Sequence, residues 1–533
     1  MSEPPQTTDA TLEPHCRCAS MTGLVAALGV ALLLRLYLCY TAIAIAPDGG
    51  LFIHYARDLR AEPIAALRDY SHRQAPLYAV LVAAAVTPAQ WVASGADAWI
   101  LAGRAVATAF GLLAIVGVFL LSRRLFNGRV AVIAAFLMAI LPDAAQLCAN
   151  VLSDMTHLSL YLLALVALIV AIERGVSATF ALIAGGLSGL AFLTRPEGAT
   201  VAVIGIALLL VIGRGRMSRR FVAALCVIAG FILIAGPYQA LTGKLVAKKD
   251  LFEMLRLALG LMPSQSRGIA FAADMVAPVE VLRQWFRAGR VVIPLLAIAA
   301  FRLWPPRAPG RWVVLSAFGA HMALLNLLDL RHGYVDRRHA LLLAVLCLPM
   351  AAATLQALGE RAARRWGACW SSGVVIGSII AFLIGMGPWL LRPVEAGDDH
   401  IPAMGRWLAE HTPADAPIVA TSRLRRVAVY AERDFREWDW WQWQPRHLAR
   451  SLGEVNQPCV VLLDVDEISR TDRNPAFFEQ LEAKPAAPAS ESAQAGPGEW
   501  TFAGGRLSLL HESPGSGAIS KRRLRAYEWS PGK

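Results

Sequence analysis

Charged residues are scarce in this sequence. Of its 533 residues, 17% are Asp, Glu, Lys or Arg and 56% are hydrophobic, whereas soluble proteins carry about 25% charged residues. The apolar residues are clustered in runs of about 20, the length that an α-helix needs to cross about 30 Å of hydrocarbon. The composition therefore excludes an ordinary soluble protein and predicts a polytopic membrane helix bundle.

Motifs for metals and nucleotides are also lacking. The cysteines form no Cys-x-x-Cys motif, and no pair of histidines completes a zinc site, so we interpret most of them as buried thiols. The outer loops contain no glycine-rich nucleotide-binding loop. The net charge of +12 comes largely from arginines in short loops, not from the basic and aromatic stripe of a nucleic-acid-binding module. A nucleic-acid partner is therefore not expected.

Eleven apolar segments are predicted to cross the membrane. They are 22–46, 99–121, 130–142, 156–172, 178–193, 198–212, 221–240, 290–304, 312–330, 339–357 and 373–391. The first is too long for the core of a secretion signal and carries Arg35, so we interpret it as a span. The run 75–92 is also apolar, but Pro76 and Pro88 bracket it. We predict that it lies at the membrane interface as a hairpin and does not cross.

The distribution of arginine predicts the orientation of the chain. Fourteen arginines lie in one set of short loops, and four lie in the opposite set. Because positive charge is retained in the cytoplasm, residues 1–21 are predicted to be a cytoplasmic tail. Residues 22–394 are then a transmembrane domain with an outer loop at 47–98. Lys is scarce beside Arg, Ala is abundant and no Asn-x-Ser/Thr sequon occurs, which indicates a bacterial inner membrane.

The chain changes to a polar, mixed sequence at residue 395. Residues 401–411 are predicted to form a helix, and 416–421 and 459–463 to form strands. The sequence thus predicts a small soluble periplasmic α/β domain over residues 395–533. Within it, the Ala-, Pro- and Ser-rich segment 483–498 is predicted to be a disordered loop.

Two outer segments carry a carboxylate beside an apolar run. Asp48 follows the first span, and the freedom of Gly49 and Gly50 predicts a turn before a short amphipathic helix. Asp154 lies at the outer mouth of the third and fourth spans, where a charge is costly unless it is solvated or paired. Each carboxylate could instead cap the helix that follows it. Asp143 is the alternative to Asp154 as the functional acid.

Two further outer segments are basic. Ser71-His72-Arg73 precedes Pro76, and Asp336-Arg337-Arg338-His339 opens the tenth span. Arg donates paired hydrogen bonds to phosphate, so these segments suit a phosphate-bearing headgroup. Ordinary anchoring to membrane lipids is the alternative.

Taken together, these segments resemble the GT-C membrane glycosyltransferases, which include protein O-mannosyltransferases and the transferase that adds aminoarabinose to lipid A. The resemblance covers most of the chain. Its motifs are Asp48 before His54-Tyr55-Ala56-Arg57, Pro76-Leu77-Tyr78, Arg104, the RRLFNGR loop at 123–129, Asp154 and Thr194-Arg195-Pro196. Two positions depart from the pattern. Gly49 stands where many relatives have Glu, and Ala75 where they have a basic residue or Pro.

The resemblance implies that the transmembrane domain is catalytic. It would transfer a hexosyl or pentosyl group from polyprenyl phosphate to an acceptor hydroxyl of a lipid, glycan or protein, with inversion. Asp48 would be the general base. Asp154 would orient the acceptor or Asp48, or stabilise the charge that develops on the sugar.

Binding roles are implied for seven more residues. The donor phosphate would be bound by four basic residues: Arg337, Arg338, His72 and Arg73. The sugar or acceptor would be bound by Tyr55, His54 and Asn150. The sequence defines no cofactor and leaves a divalent cation open.

Two other functions stay open. A polytopic transporter or lipid flippase is the first, although transporters are commonly built of repeated halves with a site near the bilayer midplane, and the sequence shows no such repeat. A non-catalytic relative whose outer domain binds a partner is the second.

Overall fold

Helices make up most of the described part of the chain as far as residue 390. The computed structural model describes residues 13–69, 72, 74–243, 277–303, 309–332, 334–438, 445–455, 457–465, 499–502, 505–513 and 523–531. The first eleven helices are α1 (Glu13–Thr41), α2 (Pro47–Ala61), α3 (Pro63–Arg68), α4 (Pro76–Ala89), α5 (Gly95–Leu125), α6 (Gly128–Ala139), α7 (Pro142–Ala149), α8 (Asp154–Glu173), α9 (Ala178–Phe192), α10 (Ala199–Val211) and α11 (Met217–Thr242). Six more precede the polar region: α12 (Ala277–Ala288), α13 (Val292–Ala299), α14 (Pro309–His332), α15 (Arg337–Leu346), α16 (Leu348–Trp366) and α17 (Cys369–Leu390).

Every predicted span coincides with a helix or with a short series of helices. Among the described residues, six single helices are long and apolar enough to cross a membrane: α1, α5, α8, α11, α14 and α17. Two bent pairs, α6–α7 at 54° and α15–α16 at 48°, bring the number to eight if each pair is one span. The protein is therefore a mainly helical integral membrane protein, as predicted. The count of eleven also requires the shorter helices α9, α10 and α13, and it stays a prediction.

The outer end of the first span differs from the prediction. Helix α1 ends at Thr41 and α2 already begins at Pro47, where proline suits the first helical position. Gly49 and Gly50 therefore lie inside a helix, and the predicted turn is wrong. A Cβ atom on Gly49 would lie 3.2 Å from the Val151 carbonyl oxygen, and one on Gly50 would lie 3.0 Å from the Arg426 backbone. Because Gly49 and Gly50 have no side chain, neighbouring parts of the chain can pack closely against two sides of α2.

Helix α4 forms a hairpin with the beginning of α5. Tyr78 Oη, at the start of α4, donates to the Gly103 carbonyl at 2.9 Å. The next residue, Arg104, donates to the carbonyls of Cys39 and Ala149, at 3.0 and 2.8 Å. The start of α4 is thus level with the ends of α1 and α7, and the hairpin extends beyond them. That the 75–92 segment lies at the interface and does not cross stays a prediction.

The polar region is a small α/β unit, as predicted. Its helices are α18 (His400–His411), α19 (Arg425–Ala431) and α20 (Pro445–Gly453). Its strands are β1 (Ile418–Ala420), β2 (Phe435–Glu437), β3 (Cys459–Asp464), β4 (Glu499–Phe502), β5 (Gly505–Ser513) and β6 (Leu524–Pro531). They form one sheet in the order β2-β1-β3-β6-β5-β4, in which β1 is parallel to both of its neighbours and the other pairs are antiparallel. The predicted loop 483–498 lies outside the described residues.

A reporter fusion tests the predicted orientation. We expect alkaline phosphatase fused after residue 400 to be active in bacterial cells, because the excess of loop arginine places this unit outside the cytoplasm. A fusion after Arg214, in a predicted cytoplasmic loop, is the matched control and should be inactive. Activity only at Arg214 would mean that the 75–92 segment crosses and that the orientation is inverted.

Candidate active site

A polar cavity of about 630 Å³ opens where the ends of several membrane helices meet the α/β unit. Its walls come from the start of α2, helix α7 and the loop after it, the turn between α12 and α13, the start of α15, and the segment after α17. Its charged lining residues are Asp48, Asp143, Arg290, Asp336, Arg337, Arg338, Arg392, Glu395, Asp398 and Arg423. Three of the four predicted polar segments therefore converge at this cavity.

Asp48 and Arg338 form an ion pair in the cavity wall. Arg338 Nη1 lies 2.7 Å from Asp48 Oδ2. The N-cap of α2 is Ala46, and Asp48 is the second residue of the helix, so Asp48 does not occupy the capping position. Its side chain is 44% exposed, and a second molecule in the cavity can therefore reach the carboxylate.

The start of α15 places both of its arginines. Asp336 is the N-cap of this helix and forms a capping box with His339, whose Nδ1 accepts a hydrogen bond from the Asp336 backbone N–H at 3.2 Å. A capping box fixes where a helix begins. Arg337 and Arg338 consequently occupy the first turn of α15, where they reach two different carboxylates.

Asp154 lies deeper than Asp48. It is 7% exposed, and Arg195 Nη1 lies 2.6 Å from its Oδ1. Arg195 Nη2 also lies 3.3 Å from Glu197 Oε1. Arg338 contributes to both the main cavity and a small one of about 30 Å³ that Asp154, Arg195 and Glu197 line. It therefore connects the surroundings of the two predicted catalytic carboxylates.

Asp143 is held between two arginines. Arg290 Nη2 lies 2.8 Å from Asp143 Oδ1, and Arg337 Nη1 lies 3.4 Å from the same oxygen. The guanidinium of Arg290 also lies 5.1 Å from the centre of the Trp389 indole ring, a favourable cation–π geometry. A carboxylate that is paired with two guanidinium groups fixes their positions relative to each other. Asp143 thus serves as a counter-ion, and we do not assign it the role of base.

Arg290 is a site residue that the sequence did not single out. It lies at the edge of a predicted span and looks like an interfacial arginine. Its φ of 52° and the φ of 60° at Val291 are both positive, a conformation that ordinary residues seldom adopt. Such conformations cluster at functional sites, and Gly289, directly before Arg290, is the one local sign of a turn in the sequence.

Asn150 lines the cavity as predicted, but the other sugar-binding candidates do not. Tyr55 is 1% exposed and stacks on His72 with ring centres 4.2 Å apart. The His54 ring packs toward Phe435 at 6.2 Å. Burial lowers the pKa of His54 to about 3, so the ring is neutral. The structure thus places Tyr55 and His54 on the sides of α2 that contact protein.

The predicted phosphate ligand His72 is also separate from the cavity. Nε2 of His72 lies 3.3 Å from Asp58 and 3.8 Å from Asp69, so His72 faces two carboxylates. Arg73 lies outside the described residues. Contact of either residue with a donor phosphate stays a prediction, and the geometry favours Arg337 and Arg338 for that role.

The α/β unit holds the segment that leads to Asp48. Tyr430 Oη accepts a hydrogen bond from the Ile45 backbone N–H at 3.1 Å, and Arg426 Nη1 donates to the Ile45 carbonyl at the same distance. Arg426 is 2% exposed and also pairs with Glu395 and Asp398. Burial raises the pKa of Glu395 to about 7 against the opposing effect of Arg426. No pattern in the sequence indicates that these residues meet.

No cluster of three or more His, Cys, Asp or Glu side chains is placed to hold a metal ion in the part of the chain that the structure describes. The divalent cation that the sequence left open stays a prediction.

Replacing Arg426 tests whether the α/β unit and the membrane helices are one cooperative structure. We expect Arg426→Met to destabilise the protein by about 3 kcal/mol, because it leaves Glu395 and Asp398 without their buried cation. The measurement is the unfolding of the detergent-solubilised protein followed by tryptophan fluorescence. Arg406→Met, which removes an exposed arginine of α18, is the control. Equal stability of the two variants would contradict the inferred role of Arg426.

Comparison with known proteins supports a fold assignment. Residues 73–238 match the sequence profile of the dolichyl-phosphate-mannose-protein mannosyltransferase family. No curated protein sequence matches the chain.

Three solved structures illustrate the structural likeness. The oligosaccharyltransferase AglB of Archaeoglobus fulgidus, in complex with an inhibitory peptide and a dolichol-phosphate, has a TM-score of 0.60 at 14% identity, over 86% of this chain and 70% of that one. ArnT of Cupriavidus metallidurans, bound to undecaprenyl phosphate, has a TM-score of 0.58 at 12% identity, over 94% and 97%. The mycobacterial arabinofuranosyltransferase AftD has a TM-score of 0.52 at 15% identity, over 96% and 41%. At these identities the likeness concerns the fold.

Proposed function

We propose, from the GT-C fold that this chain shares with these glycosyltransferases, that it is a membrane glycosyltransferase that uses a polyprenyl-phosphate sugar. The sugar moves to an acceptor hydroxyl of a lipid, glycan or protein, at the outer face of a bacterial inner membrane. The observation that carries the proposal is the cavity in which an accessible carboxylate, Asp48, adjoins a group of arginines at the ends of membrane helices.

The arginines suit the phosphate of the donor. The leaving group of the reaction is a phosphate monoester, and the charge that develops on it is stabilised by fixed cations. Arg290 and Arg337 share the single carboxylate of Asp143, so this group keeps one positive charge in excess. The side chain of Arg337 is 44% exposed and can turn toward a phosphate while Arg290 stays paired.

Asp48 is the proposed general base. As the acceptor oxygen forms a bond to the anomeric carbon, its proton passes to Asp48. The bond between that carbon and the phosphate oxygen breaks on the opposite face, and its electron pair leaves with polyprenyl phosphate. The configuration is therefore inverted. Arg338 contacts Asp48 and lies next to Arg337 in the sequence. It can therefore fix the distance between the base and the phosphate.

Asp154 has a different proposed role because its environment is different. Each carboxylate is paired with an arginine, but Asp154 is 7% exposed whereas the side chain of Asp48 is 44% exposed. Asp154 is therefore the less accessible of the two. A carboxylate of this kind can accept a hydrogen bond and oppose positive charge on the sugar ring. We therefore assign proton transfer to Asp48 and orientation of the acceptor to Asp154.

A lipid-linked donor accounts for the position of the site. The cavity lies where apolar helices end, so a polyprenyl tail can stay in hydrocarbon while its phosphate enters among the arginines. Lipid phosphates are bound by ArnT and AglB in the structures described above. Nucleotide sugars are not supplied on the outer side of a bacterial inner membrane, and the sequences of the predicted outer loops contain no glycine-rich nucleotide-binding loop.

The general base is tested by Asp48→Asn. The amide cannot accept the proton, so we expect transfer to fall by about 10²- to 10⁴-fold while expression and extraction stay normal. Asp58→Asn on the same helix is the control, since Asp58 faces His72 and does not line the cavity. Turnover of Asp48→Asn close to that of the unaltered protein would rule out Asp48 as the base.

The donor is tested with purified protein in proteoliposomes. We expect release of free polyprenyl phosphate from polyprenyl-phosphate mannose or aminoarabinose when acceptor extracts are added, and no reaction with UDP- or GDP-sugars.

The double variant Arg337→Ala with Arg338→Ala should weaken transition-state stabilisation by about 2–5 kcal/mol, the range for a lost partner of a buried charge. The control is Arg219→Ala, at a predicted cytoplasmic end. Transfer from a nucleotide sugar without carrier would contradict the donor assignment, and substrate movement across the vesicles without transfer would support a transporter.

A further inference from the structure

Arg195 is shared by two carboxylates from different parts of the fold. Asp154 is the first residue of α8, and Glu197 lies in the 3₁₀ turn Pro196–Gly198 between α9 and α10. One nitrogen of the guanidinium lies 2.6 Å from Asp154 and the other lies 3.3 Å from Glu197. Glu197 does not line the main cavity, and the proposed reaction gives it no part.

The backbone holds this turn in one position. Thr200 Oγ1 donates to the Glu197 carbonyl at 2.7 Å, and Ser188 Oγ donates to the Gly198 carbonyl at 2.8 Å. A Cβ atom on Gly198 would collide with the backbone at the end of α9, so the turn packs directly against that helix. The Glu197 carboxylate is therefore presented to Arg195 by a rigid element.

The rest of the Glu197 environment is confined and polar. Its Oε2 atom is buried and has no hydrogen-bond partner among the described residues. His157 of α8 and His321 of α14 line the same small cavity as Glu197 and Arg195. Burial by itself raises the pKa of Glu197, but Arg195, His157, a backbone hydrogen bond and His321 together lower it below its usual range. Glu197 is thus a permanent negative charge that competes with Asp154 for one cation.

We propose that Glu197 is a positioning residue that keeps Arg195 from neutralising Asp154 completely, and so preserves the hydrogen-bonding capacity and the orientation of Asp154. The inference rests on the proposed role of Asp154. An arginine bound to Asp154 alone would reduce the affinity of that carboxylate for a proton and for an acceptor hydroxyl. With Glu197 present, Arg195 is held from two sides, and Asp154 keeps part of its negative charge for the substrate.

Labelling of Asp154 tests the proposal without any sugar transfer. A hydrophobic carbodiimide modifies the protonated carboxyl group, so mass spectrometry of the Asp154 peptide over a pH series gives the midpoint of its ionisation. We expect Glu197→Gln to lower this midpoint by about 0.5–1 pH unit, because a nearby negative charge is lost. Glu197→Asp keeps the charge and should leave the midpoint close to its original value.

The matched control is Glu173→Gln, at the other end of α8. Glu173 also pairs with an arginine, Arg124, at 3.3 Å, but it is remote from Asp154. His157 and His321 are present in every variant, so their own titration cancels in the comparison. An unchanged midpoint in Glu197→Gln, or an equal shift in Glu173→Gln, would overturn the proposal.

Turnover gives the second measurement. We expect Glu197→Gln to lower kcat about tenfold with little change in the KM for the lipid-linked donor, because Asp154 contacts the acceptor, and a small misplacement of a reacting group is costly in rate. Glu197→Asp should restore most of this loss, whereas a role in folding alone would reduce the yield of protein and leave kcat unchanged. If the unaltered protein transfers no sugar, the proposed function fails, and the labelling experiment still decides whether Glu197 controls Asp154.

Discussion

Carboxylates and arginines at the ends of apolar helices have to compensate one another, because an unpaired charge beside hydrocarbon is expensive. This constraint brings the parts of the site together. Asp48 pairs with Arg338, Asp154 with Arg195, and Asp143 with Arg290 and Arg337. Each pair joins helices that are distant in the sequence. Arg290 and Arg337 share one carboxylate, so positive charge is concentrated at this point, although the charged side chains that line the whole cavity are five acidic and five basic.

The two candidate carboxylates differ because the fold gives them different depths. Asp48 and Asp154 are each paired with an arginine, but Asp48, at the start of α2, is open to the cavity, whereas Asp154 begins a buried helix. Two carboxylic acids in different environments can take different roles in one reaction. Glu197 adds a third charge that limits how far Arg195 can suppress Asp154.

The α/β unit contributes to the site because it supports the segment that leads to Asp48. Tyr430 and Arg426 bind both backbone groups of Ile45, and Glu432 accepts a hydrogen bond from the first turn of α5 at 2.8 Å. Gly50 allows α19 to approach the backbone of α2. Glu395 and Asp398, which bind Arg426, also line the cavity. Removal of this unit would therefore disturb the cavity wall and the position of Asp48 together.

The sequence by itself determined the membrane class, the helical fold and the segments from which the site is built. Apolar runs of sufficient length have few alternatives to helices in hydrocarbon, and acidic or basic residues at their outer ends stand out against that background. Asp48, Asp154, Asn150, Arg337 and Arg338 were found in this way. Local pattern could not show that His54 and Tyr55 face protein, because the side of α2 that faces the cavity depends on the packing of α19 and α4. Nor could it reveal Arg290, Glu197 or Arg426, whose significance lies in partners contributed by other elements. Only the tertiary structure decided which charge meets which, because ion pairing acts over a few ångströms of space and has no regular spacing along the chain.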